Sequence, residues 1–216
     1  MSCQHCCGAN LQFDIDNANN DLKRYLKKGP KKMTRMLVDA LKKEDIKNLS
    51  LLDIGGGIGP IPLELISKGL QKITDVDASQ GYISVATAEL KKRKLSHLAN
   101  YHLGDFVALS NQIETHDIVT LDKVICCYPD VHELLKTSLS KANQYYGLVY
   151  PQAHILSRIV VGFLNFKLKL KKNPFRTFIH DPKLVHDTIT SAGFQKIYSG
   201  KTLLSWQIHL YKKEAS

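Results

Sequence analysis

The residues best suited to chemistry lie around one glycine-rich turn. Residues 51–59 read Leu-Leu-Asp-Ile-Gly-Gly-Gly-Ile-Gly, in which an apolar strand runs into the turn, and an amphipathic segment follows at 61–67. Glycine allows a tight turn and a close approach of the backbone to a ligand, because it has no Cβ. A helix that begins after such a turn points its free N–H groups at ligand oxygens. The pattern predicts a cradle for a small molecule.

Two ligand classes compete for this turn. A dinucleotide-binding turn needs a glycine or alanine at its third conserved position, and counting from Gly55 this position holds Pro60, which disfavours an oxidoreductase. Asp53, two positions before the first glycine, instead makes the segment resemble motif I of the class I S-adenosylmethionine-dependent methyltransferases. The resemblance implies S-adenosylmethionine as the cofactor.

The same resemblance implies three further sites along the chain. Asp77, at the end of a second strand, would accept hydrogen bonds from the two ribose hydroxyls. Asp105 would receive the adenine amino group, with Phe106 near the base, and a fourth strand at 117–126 would end beside the transferable methyl. The cofactor-binding residues that it implies are Asp53, Gly55, Gly56, Gly57, Asp77, Ala78, Gly104, Asp105, Phe106 and Asp122.

A local similarity concerns the substrate side. Residues 127–130, Cys-Tyr-Pro-Asp, and residues 146–151 resemble the corresponding segments of magnesium-protoporphyrin O-methyltransferase and its small bacterial relatives. This chain has Cys127 where a histidine is expected in the porphyrin enzyme. The porphyrin substrate is therefore not carried over, whereas the cofactor is.

The order of the elements predicts an α/β fold. Strands at 50–55, 72–77, 99–103, 117–126 and 145–150 alternate with helices at 60–68, 80–94 and 130–143, and two short helices precede them within 20–45. A helix at 181–192 and strands at 194–201 and 203–212 follow. The expected fold is a doubly wound, mostly parallel seven-stranded sheet with an antiparallel C-terminal strand, a Rossmann-like methyltransferase fold.

Length and composition bound the organisation. A chain of 216 residues with 44% hydrophobic and 23% charged residues predicts a single domain, 1–216, without the apolar stretch of roughly 20 residues that spans a bilayer. We expect an N-terminal helical lid at 1–48, a cofactor core at 49–150, a helical acceptor cap at 151–180 and a C-terminal helix and hairpin at 181–216. The start of the chain lacks the features of a signal peptide, so we expect a cytoplasmic protein. Oligomeric state cannot be read from the sequence.

The formal net charge of +10 comes largely from lysine-rich runs. Such runs attract anionic partners, but solvated helix faces give the same total, and the sequence has no aromatic-interleaved basic motif. A nucleic-acid substrate is therefore disfavoured, and a small-molecule acceptor is expected.

Residues 154–172 do not belong to the minimal fold. The segment is dense in large apolar side chains, with Arg158 and four lysines interspersed. In the family that the chain resembles, an inserted helix at this place commonly covers the acceptor pocket. The segment is therefore predicted to cap an acceptor that is partly apolar or lipophilic. Its basic end also suits a peripheral membrane contact. Packing against the sheet as ordinary core is the third alternative.

Methyl transfer is an in-line displacement, so its main demand is alignment of nucleophile, methyl carbon and sulfur. The candidate catalytic residues are Tyr128, Cys127 and His132, just after the fourth strand. Tyr128 would orient the acceptor or face the sulfonium, with packing beside Pro129 as the alternative, and His132 also suits an exposed helix position. His154 and His180 are weaker candidates for the acceptor pocket.

The cysteines give a second hypothesis. Cys3, Cys6 and Cys7 form a Cys-x2-Cys-Cys cluster, but no second Cys-x2-Cys exists to complete a zinc site, and we assign no metal. An N-terminal tail folded over the cofactor would bring these thiols towards Cys126 and Cys127. The rival to a methyltransferase is therefore a catalytically silent cofactor-binding or cysteine-based metal- or metalloid-sensing protein on the same fold. Within the strand predicted at 117–126, Cys126 is expected to point into the core.

Overall fold

The computed structural model of the protein describes residues 4–203 and 206–214. Their seven strands form one sheet in the order β3-β2-β1-β4-β5-β7-β6. Strands β1 to β5 pair in parallel, and β7 runs antiparallel to both of its neighbours, β5 and β6. The predicted fold class is confirmed. The strands are β1 (Ser50–Ile54), β2 (Lys72–Asp77), β3 (Ala99–Leu103), β4 (His116–Asp122), β5 (Ala142–Pro151), β6 (Phe194–Lys201) and β7 (Trp206–Lys213).

Helices cover both faces of this sheet. One face packs α3 and α4 against buried residues of β1, β2 and β4, and the other packs α7 and α9 against β4, β5 and β7. The helices are α1 (Gln4–Gln12), α2 (Ile15–Lys28), α3 (Lys32–Leu41), α4 (Pro60–Leu65), α5 (Gln80–Lys92), α6 (Phe106–Leu109), α7 (Val131–Leu139), α8 (Ile155–Leu170) and α9 (Pro182–Ser191). The first of them, α1, was not predicted from the sequence.

The strand predicted at 117–126 ends earlier, at Asp122. Lys123 has a φ of 67°, a left-handed conformation that a strand does not accommodate, and Ile125–Cys127 then forms a turn of 3-10 helix. The apolar residues at 124–127 continue the pattern of the strand in sequence. In the structure Ile125 and Cys126 are indeed buried, but in the turn and not in the strand. The predicted helix at 130–143 is also shorter, since it ends at Leu139.

The N-terminal helices form a layer over the carboxyl ends of the strands. Helix α2 packs on α5 through Ala18, Tyr25 and Tyr82, and the Tyr82 hydroxyl donates to Asp21 Oδ2 at 3.0 Å. The Tyr25 hydroxyl donates to Glu64 Oε1 at 3.2 Å, which ties the same helix to α4. This layer closes one side of the region where the predicted motifs end.

Candidate active site

The glycine-rich turn between β1 and α4 leaves no room for side chains at its centre. Gly55 has a φ of 63°, and a Cβ there would lie 2.6 Å from Cγ2 of Val124. A Cβ on Gly56 would lie 2.0 Å from Asp75 Oδ2 and 2.8 Å from Asp53 Oδ2. The turn therefore requires glycine on steric grounds, and its backbone lies open to a ligand.

The carboxylate of Asp77, at the end of β2, is held by that turn. Its Oδ2 accepts from Gly57 N at 3.0 Å and its Oδ1 from Ser79 N at 2.7 Å. Burial raises the pKa of Asp77, and hydrogen bonds from the backbone of Ser79, Gly57 and Ala78 offset part of that effect. A carboxylate has about four acceptor positions, so two such bonds leave lone pairs for a pair of hydroxyl donors.

The next strand end presents Asp105. It caps α6 by accepting from Val107 N at 2.9 Å, and the Tyr128 hydroxyl donates to its two oxygens at 3.0 and 3.2 Å. Phe106, the first residue of α6, is buried beside it. Tyr128 is thus hydrogen-bonded to Asp105, the acid that the family resemblance assigns to the adenine of the cofactor.

The end of β4 is joined to the N-terminal layer by a three-residue cluster. Asp122 Oδ2 accepts from the Thr34 hydroxyl at 2.5 Å, and Lys123 Nζ donates to Asp122 Oδ1 at 2.7 Å and to Thr34 Oγ1 at 3.0 Å. Lys123 adopts its left-handed backbone conformation at this point, and such outliers concentrate at functional sites. The cluster fixes helix α3 over the end of the strand.

These strand ends surround one cavity of about 280 Å³. All ten residues that the resemblance assigns to the cofactor line it, as do Tyr128 and Cys127. The cavity-lining residues that sequence reasoning missed come mostly from the N-terminal layer and from the loop after α8: Ala9, Phe13, Asp21, Arg24, Lys31, Thr34, Lys123 and Phe175 are among them. No local motif marks these eight, because packing between distant segments brings them here.

The histidine candidates lie elsewhere. His132 is exposed at the start of α7 and faces a neighbouring cleft, together with His180. His180 Nε2 lies 3.1 Å from the Tyr128 carbonyl oxygen, and burial lowers the pKa of this imidazole. His154 caps α8, where its Nδ1 accepts from Ser157 N at 3.2 Å. Among the described residues that line the main cavity, none is a histidine.

Cys126 is buried as expected, but the predicted reason was wrong. The two thiols do not alternate faces: Cys126 Sγ and Cys127 Sγ lie 3.7 Å apart, and both donate to the Lys123 carbonyl oxygen at 3.3 Å. The hydrogen bond with Cys127, together with burial, raises the pKa of Cys126.

The N-terminal cysteine cluster falls largely outside the description. Cys3 and the side chain of Cys6 lie outside the described residues, and Cys7 is exposed. Within the described part of the chain, no group of three or more histidine, cysteine or acidic residues is arranged to hold a metal ion.

Two acids lie side by side beneath the glycine-rich turn. Asp53 and Asp75 face each other across β1 and β2, and Asp53 Oδ1 accepts from the Thr120 hydroxyl at 2.6 Å. Asp53 Oδ2 and both oxygens of Asp75 have no hydrogen-bond partner among the described residues. Burial raises the pKa of Asp53 to about 7 and raises that of Asp75, and neighbouring acids add to both shifts. Asp53 lines the cavity, but its Oδ2 is buried beneath the turn and has no donor among the described residues.

The segment at 151–180 contributes less to the cavity than predicted. Phe163 and Phe166 are 56% and 59% exposed, and Phe175 is the residue of this segment that lines the cavity. The Phe175 ring packs edge-on against Phe13, with the centroids 5.4 Å apart. The described residues contain no helix long and apolar enough to cross a membrane.

Comparison with known proteins agrees with this geometry. Residues 52–139 match the methyltransferase domain family, and no curated protein matches the chain in sequence. The magnesium protoporphyrin IX methyltransferase of Synechocystis PCC 6803 with bound S-adenosylmethionine superposes with a TM-score of 0.67 at 14% identity, covering 95% of each chain. A putative sarcosine dimethylglycine methyltransferase from Galdieria sulphuraria gives a TM-score of 0.65 at 10% identity, over 84% of this chain and 85% of that one.

An O-methyltransferase family protein from Burkholderia thailandensis gives a TM-score of 0.67 at 10% identity, over 94% of this chain and 64% of that one. Likeness at such low identity establishes the fold, and the family match at 52–139 identifies the domain that carries the glycine-rich turn and the strand-end acids. The methyltransferase domain at 52–139 and the shared fold support a class I S-adenosylmethionine-dependent methyltransferase with S-adenosylmethionine as its cofactor.

Proposed function

We propose that the protein transfers a methyl group to a small or medium-sized, partly apolar acceptor, which binds in the cavity beside Tyr128, Cys127 and Phe175. One observation carries the proposal: four successive strand ends and an apolar wall enclose a single cavity. The strand ends supply the acids, and Phe13, Phe106 and Phe175 supply the apolar wall. Such a site suits a polar cofactor at one end and an acceptor with an apolar body at the other.

The polar end is assigned to the cofactor residue by residue. The free lone pairs of Asp77 would accept from the ribose hydroxyls, and Asp53, which lines the cavity beneath the turn, would favour the positively charged ammonium group of the cofactor. Asp105, which keeps acceptor capacity beside its bond from Tyr128, would receive the adenine amino group. When bound, the cofactor supplies an electrophilic methyl group on a positively charged sulfur. Asp53, Asp77, Asp105 and Asp122 all line the cavity and favour that charge.

The chain's contribution to the reaction is chiefly alignment and exclusion of water. Tyr128 holds its proton on the phenolic oxygen, because that oxygen donates to Asp105. The Cys127 thiol likewise donates, to the Lys123 carbonyl oxygen. We therefore assign both residues an orienting role towards the acceptor. The geometry around His132 favours no catalytic part for it.

Isotope transfer tests the proposal directly. The protein is incubated with a cell extract and S-adenosylmethionine that carries an isotopically labelled methyl group, and untargeted mass spectrometry then searches for labelled products. We expect a labelled small molecule that is absent with Asp77→Ala, which removes the hydrogen bonds from Gly57 N and Ser79 N and the proposed ribose contact. Asp45→Ala, at an exposed acid outside the cavity, is the matched control and should retain the product. If Asp77→Ala labels the same product at the same rate, the assigned site is wrong.

Partners and location extend the proposal. A small-molecule acceptor accords with the cavity, and we propose a peripheral membrane contact through residues 154–172. A cytoplasmic location stays a prediction, which subcellular fractionation would test.

A further inference from the structure

Helix α8 packs on the protein along one narrow face. The inward residues, at intervals of three and four, are Ser157, Val161, Asn165 and Leu168, and of these only Ser157 is fully buried. Asn165 anchors the helix to the following loop: its Nδ2 donates to the Thr177 carbonyl oxygen at 2.8 Å, and its Oδ1 accepts from Thr177 N at 2.8 Å. The contact therefore combines these hydrogen bonds with two half-buried apolar side chains.

The opposite side of α8 is an apolar stripe that faces solvent. Eight of the fourteen exposed large apolar side chains in the described part of the chain belong to this helix. Its most exposed members follow the helical repeat and so lie on one face: Ile155 (78% exposed), Ile159 (63%), Phe163 (56%), Phe166 (59%) and Leu170 (68%). Removing such a face from water into an apolar phase lowers the free energy strongly, so a contiguous exposed apolar face indicates an interaction site.

The charges around the stripe are all of one sign. Arg158, Lys167 and Lys169 lie on α8, Lys171 and Lys172 follow at once, and the helix contains no acidic residue. The Lys167 Nζ lies 4.5 Å from the centroid of the Phe163 ring, a cation–π contact that places a positive charge beside the apolar stripe. A second copy of this face would bring five more cations opposite these five. An anionic surface complements them.

We propose that α8 is an interfacial helix by which the protein binds anionic lipid bilayers. The apolar stripe enters the boundary between headgroups and acyl chains, and the flanking basic residues contact lipid phosphates. A helix of 16 residues that is too short to cross the membrane lies in the plane of the interface instead.

The lipid-facing helix is also close in the chain to the cavity. The loop that leaves α8 donates from Asn173 Nδ2 to Gln12 Oε1 at 3.4 Å and then places Phe175 in the cavity wall against Phe13. Docking through α8 would thus hold this wall near the bilayer, a source of lipophilic acceptors. This last step rests on the proposed function; the lipid binding itself does not.

Vesicle flotation tests the binding without any acceptor. The full-length protein is mixed with vesicles of phosphatidylcholine alone or of an equal mixture with phosphatidylglycerol. We expect flotation with the anionic vesicles that weakens as salt rises, and a partition coefficient on the order of 30-fold lower for Phe163→Ser/Phe166→Ser, because two half-exposed rings no longer insert. The matched control Leu26→Ser/Ile197→Ser, which removes exposed apolar side chains elsewhere, should float like the wild type.

Three results would overturn the proposal. These are absence of flotation, equal flotation of the Phe163→Ser/Phe166→Ser variant, and a wild-type dimer in sedimentation that the same variant dissociates. The last result would assign the face to a second copy of the chain. A circular-dichroism melt checks that the variants fold. Methyl transfer to a soluble acceptor provides the separate check on the activity, since a failure of flotation leaves that activity untouched.

Discussion

The rim of the cavity and the outer face of α8 place their side chains in contrasting surroundings. At the rim, Asp77, Asp105 and Asp122 are each fixed by at least two hydrogen bonds from distinct residues. On the outer face of α8, Ile155 and Leu170 lie mostly in solvent. Polar groups that are fixed in advance suit recognition of one defined ligand, whereas an unpartnered apolar stripe suits a broad and fluid one. This difference accords with the two proposals, in which the strand ends of the sheet bind the cofactor and α8 binds the bilayer that supplies the acceptor.

A glycine-to-alanine substitution in each region tests this contrast, and the largest effect, a loss of cofactor affinity, is expected at the turn. Gly56→Ala places a methyl group 2.0 Å from the Asp75 carboxylate, so the turn must shift. We expect cofactor affinity to fall at least about 100-fold and the free energy of unfolding to fall by about 1–3 kcal/mol. Gly162→Ala in α8 meets nothing within 4 Å and should stabilise the helix by about 0.5–1 kcal/mol. Calorimetry and chemical denaturation measure both.

The two alanine variants should not behave alike. If Gly56→Ala binds the cofactor as tightly as the wild type does, the turn is not the cradle that its geometry implies. If Gly162→Ala loses cofactor affinity, α8 is coupled to the cavity more tightly than its few contacts indicate.

A smaller effect is expected at Tyr128. Tyr128→Phe removes the two bonds to Asp105, and a hydrogen bond to a charged acceptor contributes about 1.5 kcal/mol or more, so cofactor affinity should fall about tenfold. His132→Ala, outside the cavity, should leave both binding and kcat within about twofold, a surface substitution by its position. A lowered kcat in Tyr128→Phe would support the orienting role that we propose for the phenol towards the acceptor, and an unchanged kcat would argue against that role.

The residues predicted to bind the cofactor can be located from the sequence because each lies in a short local motif, and all ten line one cavity, although their binding stays a prediction. Asp53 lies in β1 just before the glycines, Asp77 ends β2, and Asp105 comes two residues after β3. A motif of that kind is complete within a few residues. The strand predicted at 117–126 is four residues too long at its end, since nothing in the sequence marks the left-handed conformation of Lys123.

The acceptor side could not be predicted in the same way. Phe13, Thr34 and Phe175 reach the cavity through contacts between segments that are distant in the chain, as in the ring contact of Phe13 with Phe175 and the bond of Thr34 to Asp122, 88 residues away. The apolar residues of 154–172 indicated a buried cap, because large apolar side chains are buried more often than exposed. Only the packing of Asn165 on the protein side shows that the helix is turned the other way.

The buried acids Asp53 and Asp75 predict that the free energy of unfolding depends on pH, and that replacing Asp75 changes this dependence by about 1 kcal/mol. Because the pKa of Asp53 rises from 3.8 to about 7 on folding and that of Asp75 also rises, the folded protein keeps protons that the unfolded chain releases. The free energy of unfolding should therefore fall as pH rises from about 4 to 7. Asp75→Asn removes one acid and its repulsion of Asp53, so its stability relative to wild type should increase by about 1 kcal/mol between pH 5 and 8.

Urea denaturation at several pH values measures this difference. Asp45→Asn, at an exposed acid, is the control, and its offset from wild type should stay constant over the same range. Parallel curves for Asp75→Asn and wild type would show that Asp75 is not the group that couples folding to pH.

The smallest expected effect concerns residues 25–35, within the N-terminal lid predicted at 1–48. In the structure this segment is docked, since Tyr25 binds Glu64, Lys31 lies 3.1 Å from Asp21, and Thr34 binds Asp122. Asp122 and Lys31 also line the cavity, so a ligand that contacts either residue would tighten the segment. We expect amide exchange at 25–35 to slow on the order of a few-fold when S-adenosylhomocysteine is added, while exchange at 155–170 stays unchanged. Equal slowing of exchange in both regions would remove the distinction between the cofactor site and α8. If exchange at 25–35 is the same with and without ligand, the segment is a fixed support that its own hydrogen bonds already hold in place.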